Sequence, residues 1–252
     1  MLVIDWLNES LGQVFKVKRV LAHERTAFQD VLICDVDFFG KTLFLDDQLQ
    51  STQIDQELYH SALTEPMLTV FKPSNILIIG GGEGATANHA LRHSDAVTMV
   101  DIDDRLVQLC RRYLPEFHGG VFSDKRLKTV FTDGASYVAH SGDTFDAIIV
   151  DGTDPSDRGP GATLYSQVFY RDCWQRLSSR GVFVTQAGSS YYRRKEFNSV
   201  KSRISKVFRD TAAYHVWIPS YGSTWGFIVA RKTPIPRTLL RRSVSATGST
   251  MT

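Results

Sequence analysis

The spacing of apolar positions changes character near residue 70. Before that point they alternate or cluster with β-branched and aromatic residues, as in GQVFKVKRVLAHE (12–24) and QDVLICDVDFFGKTLFLDDQLQST (29–52). Phe39-Gly40 and Asp46-Asp47 read as turns, so the segment predicts a run of strands. A helix is predicted over 55–68, with Leu58, Ala62 and Leu63 on one face and Pro66 disturbing its end.

From Pro73 onward strands and helices alternate. NILIIG (75–80) is a continuous apolar run, the pattern of a strand buried on both faces of a parallel sheet. AVTMVD (96–101), LKTVF (127–131), FDAIIVD (145–151) and GVFVTQ (181–186) predict further strands. Helices are predicted up to His93, over 104–114, near 166–177 and over 195–208. HVWI (215–218) and WGFIVA (225–230) close the pattern as an antiparallel pair. The expected class is α/β: a Rossmann-like, doubly wound sheet preceded by a small N-terminal β-domain. The expected divisions are 1–68 for the β-domain and start of the linking helix, 69–232 for the Rossmann-like domain, and 233–252 for a basic, loosely attached tail.

Composition narrows this picture only a little. With 42% hydrophobic and 22% charged residues, the chain falls among ordinary globular proteins. No run of about 18 apolar residues is present, which argues against a membrane span. An early acid and no basic stretch at the N-terminus argue against a signal peptide. Cys34, Cys110 and Cys173 are widely spaced, without a CxxC, which fits a reducing cytoplasm.

Charge is more informative once divided. The formal net charge is +2, yet residues 231–252 hold five bases and no acid. Taking those five from the 29 leaves 24 bases against 27 acids, so the body carries −3. The tail reads as a solvated end and not as a nucleic-acid contact.

The acids of the body lie at chemically loaded places. Gly80-Gly81-Gly82-Glu83-Gly84 follows a buried strand and opens a helix, and Asp101 ends the next strand 21 residues after Gly80. That is the arrangement that places a nucleoside at a glycine-rich turn and a carboxylate on its ribose. The spacing is not GxGxxG and no GxxxxGK[ST] loop exists, so nothing provides for a pyrophosphate. Asp133-Gly134 ends a third strand, where related folds face the adenine. Together these favour a sulfonium nucleoside over NAD or ATP. Asp151-Gly152-Thr153-Asp154-Pro155 ends a fourth strand. Gathering Glu83, Asp101, Asp133, Asp151 and Asp154 in one crevice is costly unless cations compensate them. No His or Cys has metal-ligand spacing among them, which leaves a polyamine as the natural counter-charge. His89 and His93 share a helix face without a third ligand and read as packing or solvated residues.

Several segments then match a known family in order: ERTAFQD (24–30), LFLDDQLQST (43–52), ELYH (57–60), GGGEGA (80–85), VDID (100–103), DGTDP (151–155), Gly159-Pro160, LYSQVFY (164–170), VTQAG (184–188) and IPSYGSTWGF (218–227). The chain resembles the polyamine aminopropyltransferases, the spermidine synthase family, from Trp6 to about Lys232. The resemblance implies a class I S-adenosylmethionine-type fold and transfer of the aminopropyl group of decarboxylated S-adenosylmethionine to an amine, releasing methylthioadenosine. It implies Asp151 as general base. For the nucleoside it implies Gln29, Gly80, Glu83, Asp101, Ile102, Asp133 and Gly134. For the acceptor it implies Gln50, Tyr59, His60, Asp154 and Tyr221. It implies no separate cofactor and no metal, and an assembly of two or four copies.

Glu83 stands where most spermidine synthases have Asp. An acid there attracts the ammonium of the decarboxylated donor and repels the carboxylate of intact S-adenosylmethionine. Glu83, VTQAG followed by Ser189-Ser190, and IPSYGSTWGF lie closer to thermospermine synthases, and LPEFHGGVF (114–122) to agmatine or triamine transferases. A putrescine-specific site is expected to carry an acid near 188–190, and none is there. Gly152–Thr163 reads as a lid. Asn88-His89 replaces the usual Arg-Glu, a change for helix packing or dimer contacts more than for chemistry. The rival readings are a methyltransferase using intact S-adenosylmethionine and a non-catalytic polyamine-binding protein.

Overall fold

A computed structural model describes residues 1–155 and 161–236. The basic tail beyond 236 and the middle of the expected lid, with Gly159-Pro160, lie outside the described residues.

The N-terminal strands form one antiparallel sheet in sequence order: β1 (Leu2–Trp6), β2 (Gly12–Arg25), β3 (Asp30–Val36), β4 (Gly40–Leu45) and β5 (Gln48–Thr52). Asp46 and Asp47, with φ of 48° and 62°, make the two-residue turn between β4 and β5. Positive φ at both central positions suits the right-handed twist of the flanking strands. Helix α1 (Gln56–Phe71) leads into the second sheet.

That sheet contains β6 (Asn75–Gly80), β7 (Ala96–Asp101), β8 (Leu127–Phe131), β9 (Phe145–Asp151), β10 (Leu177–Ser189), β11 (Asp210–Ile218) and β12 (Ser223–Arg231). Their order is β11-β12-β10-β9-β6-β7-β8, with β11 and β12 antiparallel to their neighbours and the rest parallel. Intervening helices are α2 (Ala85–Leu91), α3 (Asp104–Tyr113), α4 (Pro115–His118), α5 (Gly134–His140), α6 (Gln167–Arg176) and α7 (Arg194–Ser205). Alternate residues of β6 and β9 enter two separate cores: Ile76, Ile78, Ala147 and Ile149 on one face, Leu77, Ile79, Ile148 and Val150 on the other. Burial on both faces is why these strands read as unbroken apolar runs. A third cluster joins the sheets, with Val31, Ile33, Leu43 and Leu45 packed on Leu106, Leu109 and Phe117.

Two local departures have clear causes. Pro66 lies inside α1 instead of ending it. Proline leaves the carbonyl four residues earlier without its helical donor, and that carbonyl, Ala62 O, accepts from Tyr214 Oη at 2.8 Å. A side chain from β11 thus fills the gap. Helix α5, not predicted, has only seven residues and is held by its cap: Asp133 accepts from Ser136 N at 2.7 Å. The core also reaches into the start of the expected tail, where Ile235 is buried and its N–H donates to Asp210 Oδ2 at 2.8 Å.

Candidate active site

The strand order reverses between β6 and β9, and a crevice opens at their carboxyl ends. Open α/β sheets bind ligands at such a switch point. All thirteen residues singled out from the sequence line it: Gln29, Gln50, Tyr59, His60, Gly80, Glu83, Asp101, Ile102, Asp133, Gly134, Asp151, Asp154 and Tyr221. They come from the ends of β6, β7, β8 and β9, from α1, from the turn before β3 and the β5 strand of the first sheet, and from the β11–β12 turn.

Around the glycine turn and the end of β7 the groups are set by backbone. Gly80 and Gly81 have φ of 85° and 72°, and Gly81 N donates to Asp151 O at 2.9 Å, which ties the turn to β9. A methyl group on Gly82 would lie 2.9 Å from Asp101 Oδ2, so the turn runs against that carboxylate. Asp101 Oδ1 accepts from Asp103 N at 2.9 Å. Burial pushes Asp101 up to about 6, against the pull of that amide. Asp103 caps α3 through Leu106 N at 3.0 Å, and its other oxygen accepts from Gln29 Nε2 at 2.9 Å and Thr26 Oγ1 at 2.7 Å. One buried carboxylate therefore fixes the helix start and holds Gln29, from the turn before β3, against the crevice.

On the other side Asp151 is gripped twice. Tyr59 Oη donates to Oδ1 at 2.9 Å, and Thr86 Oγ1, from the first turn of α2, donates to Oδ2. Burial, then the Asp151 charge, holds the Tyr59 phenol far above its usual range, so it remains a donor. His60 is fully buried between acceptors: Nδ1 lies 2.6 Å from Gln56 O, and Nε2 lies 2.9 Å from Glu83 Oε1 and 3.9 Å from Asp151 Oδ2. A carbonyl can only accept, so Nδ1 carries a hydrogen, and Nε2 faces two carboxylates. Burial opposes a charge on His60, but the hydrogen bond and charge of Glu83, with Asp151 behind them, outweigh it and raise its pKa. Among the described residues, His60 is thus the basic side chain placed against the acids that line the crevice.

Tyr221 stacks edge-on against Tyr59 at 5.9 Å and lies 4.5 Å from Trp225, and its hydroxyl donates to Gln50 O at 2.5 Å. Asp55 steadies that turn by accepting from Ser220 N at 2.8 Å. Asp154, beyond β9, is pushed up to about 7 by burial; Arg193 opposes this and Asp5 adds to it. The two histidines of the shared helix face pair with α1 instead: His89 Nε2 lies 3.1 Å from Glu57 and His93 Nε2 lies 3.1 Å from Glu65. That is the packing use of the Asn88-His89 position.

Four residues escaped the sequence reading. Asp103 carried a signal, an Asp three residues before Leu106 at a strand-to-helix junction. Thr86 lies in the first turn of α2, three residues after Glu83 of the preceding turn, and carries no local signature. Gln186 spans Gly152 O and Thr153 O at 2.9 and 3.1 Å, and Asp5 enters from β1; neither has a local signature.

Two family models match in succession: the spermidine synthase tetramerisation domain over residues 4–53 and the spermine/spermidine synthase domain over 56–239. The chain belongs to the spermine/spermidine synthase family. Among its relatives, polyamine aminopropyltransferase 2 of Hyperthermus butylicus is 39% identical over 245 residues, covering 96% of this chain and 80% of the relative. The polyamine aminopropyltransferase of Klebsiella pneumoniae is 39% identical over 220 residues, 86% of this chain and 76% of the relative. A spermidine synthase solved in complex with the transition-state analogue AdoDATO superposes with a TM-score of 0.89 at 30% identity, covering 95% of this chain and 83% of that one. The Thermotoga maritima spermidine synthase gives 0.88 at 29%, with 95% and 82% covered. The chain is accordingly a transferase of the polyamine aminopropyltransferase type, its N-terminal sheet falls in a domain of oligomers, and no described helix is long and apolar enough to cross a membrane.

Proposed function

We propose that the enzyme transfers the aminopropyl group of decarboxylated S-adenosylmethionine to a diamine or polyamine, with Asp151 as the base. The observation that carries this is the doubly held Asp151 carboxylate at the switch point, beside the paired Glu83 and His60. Two donors occupy one lone pair on each oxygen, and the rest of the carboxylate remains to accept a proton. Asp101 and Ile102 face the ribose, Asp133 and Gly134 the adenine, and Gln29 covers the nucleoside. Glu83, held by His60, takes the ammonium of the donor's aminopropyl chain.

The attacking nitrogen must be neutral. Removing a proton from an alkylammonium at pH 7 costs roughly 4–5 kcal/mol. Asp151 accepts that proton as the nitrogen attacks the carbon beside the sulfonium, and the C–S bond breaks to leave methylthioadenosine. Tyr59, Tyr221 and Trp225 exclude water, which opposes the preference of the carboxylates for a charged amine. Gln50, Tyr59 and Tyr221 frame the amine, and Asp154 and His60 set the charge around it.

Purified enzyme, decarboxylated donor and a panel of putrescine, agmatine, spermidine and spermine provide the test. Methylthioadenosine release that depends on one amine is the expected outcome. Methylated product from intact S-adenosylmethionine, or binding without release, overturns the proposal.

The assembly is a homo-oligomer of two or four copies. Leu2, Ile4, Trp6 and Val14 support this, since they project outward, exposed, from β1 and β2. Light scattering gives the copy number. Three buried, unpaired cysteines support a reducing cytoplasm as its compartment.

A further inference from the structure

A small annex adjoins the crevice, and Asp154, Tyr221 and Trp225 line both. Beyond those shared residues the annex is walled in part by Trp6 and Arg193. The same two residues line a separate cleft, where the turn after β1 meets the start of α7. Arg193 also borders a third cleft, with Pro155 and Tyr165. It is thus the one described residue that lines the annex and both outer clefts.

The position of Arg193 is fixed from both ends. Strand β10 ends at Ser189, whose carbonyl accepts from Arg193 N at 3.3 Å and whose hydroxyl accepts from Tyr192 N at 2.9 Å. That hydroxyl also pairs with Ser223 Oγ at 2.6 Å, which ties the turn to β12. At its other end the guanidinium reaches the first sheet and donates to Trp6 O at 3.1 Å and Leu7 O at 3.3 Å. Its charge opposes the effect of burial on Asp154, yet no ion pair joins the two among the described residues. A guanidinium keeps its charge at any working pH. The annex of a site for ammonium chains therefore ends on a fixed positive group.

We propose that Arg193 sets the upper length of the acceptor: it closes the annex by bulk and repels an ammonium that would pass beyond it. The inference rests on the aminopropyl-transfer function given above. Amines whose chain ends inside the annex react, and longer ones meet a like charge, which is a strong way to reject a wrong partner. Removing the side chain joins the annex to the outer cleft, where Glu9 and Glu196 offer acids to a longer chain.

The test measures kcat/KM for a series of α,ω-diamines of increasing length, with spermidine and spermine, in wild type and in Arg193→Ala, Arg193→Met and Arg193→Lys. Wild type is expected to lose activity steeply beyond one length. In Arg193→Ala the ratio of long to short acceptors rises about 10- to 100-fold. Arg193→Met, which keeps most of the bulk, gives a smaller rise, and Arg193→Lys, which keeps the charge, retains the wild-type limit. Donor KM stays within about twofold throughout, reporting that the first sheet is still seated. An unchanged limit in Arg193→Ala, or a wild type that accepts every length alike, overturns the inference and leaves the transfer reaction standing. A lysine variant as permissive as alanine, or a shift accompanied by an equal rise in donor KM, also overturns it. Absence of methylthioadenosine release by wild type with every amine overturns the transfer function, and this inference with it.

Discussion

The two halves of the crevice are built in different ways. On the side proposed for the nucleoside, Asp101, Asp103 and Asp133 sit at strand ends and helix caps, and the regular hydrogen bonding of one βαβ unit after another sets their positions. On the side proposed for the acceptor the groups arrive from far apart in the chain: Gln50, Tyr59, Asp151 and Tyr221 meet only after both sheets and α1 have packed. A donor common to a family suits the first construction, because the geometry follows from local backbone. A variable acceptor suits the second, because one distant residue can change without disturbing the sheet.

The sharpest way to break this division is to remove the group at its centre. Asp151→Asn keeps shape and burial but abolishes the proton acceptor. Turnover is expected to fall at least about 100-fold, roughly 2.7 kcal/mol or more, while donor affinity by calorimetry stays within about threefold. Equal losses of donor binding would show that Asp151 belongs to the nucleoside half.

Asp103→Ala tests the other half. It deletes a helix cap and leaves Gln29 and Thr26 without their buried acceptor. A stability loss of about 2–3 kcal/mol in denaturant melts is expected, with weaker donor binding and an acceptor KM unchanged within twofold. A rise confined to the acceptor KM would reverse the assignment of the two halves.

The same division explains what the sequence disclosed. Strand and helix order, the glycine turn with Asp101, and the DGTDP end of β9 were readable because each depends on residues close in the chain. Pro66 misled because its remedy, the Tyr214 hydroxyl, lies 148 residues away. Thr86 looked like an ordinary helix residue until the fold placed Asp151 against it. Asp5 was silent for a related reason: Asp154 and Arg193, which line one small cavity with it, lie far away in the chain. Glu83 and His60 stood in matched motifs, yet their pairing is a tertiary fact.

Asp154 gives a smaller, pH-dependent effect. Its folded pKa is raised to about 7 from 3.8, so the folded state binds the proton more tightly than the unfolded chain. Stability of the ligand-free enzyme therefore falls as pH rises through about 4 to 7. His60, also raised, acts in the same direction, stabilising below its unfolded pKa and losing that contribution as pH climbs through the folded one. Asp154→Asn, neutral throughout, is expected to stabilise the free enzyme at pH 8 by about 1–2 kcal/mol, allowing for partial solvent access. The gain should vanish at pH 4 and be offset at pH 8 by saturating polyamine. Thermal melts at the two pH values decide it; a loss of stability at pH 8 would place a cation on Asp154 in the free protein.

The smallest effect separates holding the base from being the base. Thr86→Val replaces a hydroxyl by a methyl of nearly equal size, on a helix whose other inward residues stay packed. The donor to Asp151 Oδ2 is lost, whereas Tyr59 still holds Oδ1. A hydrogen bond to a charged group is worth about 1.5–3 kcal/mol in net terms, and with Tyr59 still holding the carboxylate only part of that reaches the barrier. Turnover should drop about 3- to 10-fold, with donor and acceptor KM both near wild type, because Thr86 touches the carboxylate and neither substrate. Thr86→Ser, which restores the hydroxyl, should recover most of the rate. If serine and valine behave alike, the residue contributes only packing, and the base is positioned from the α1 side alone.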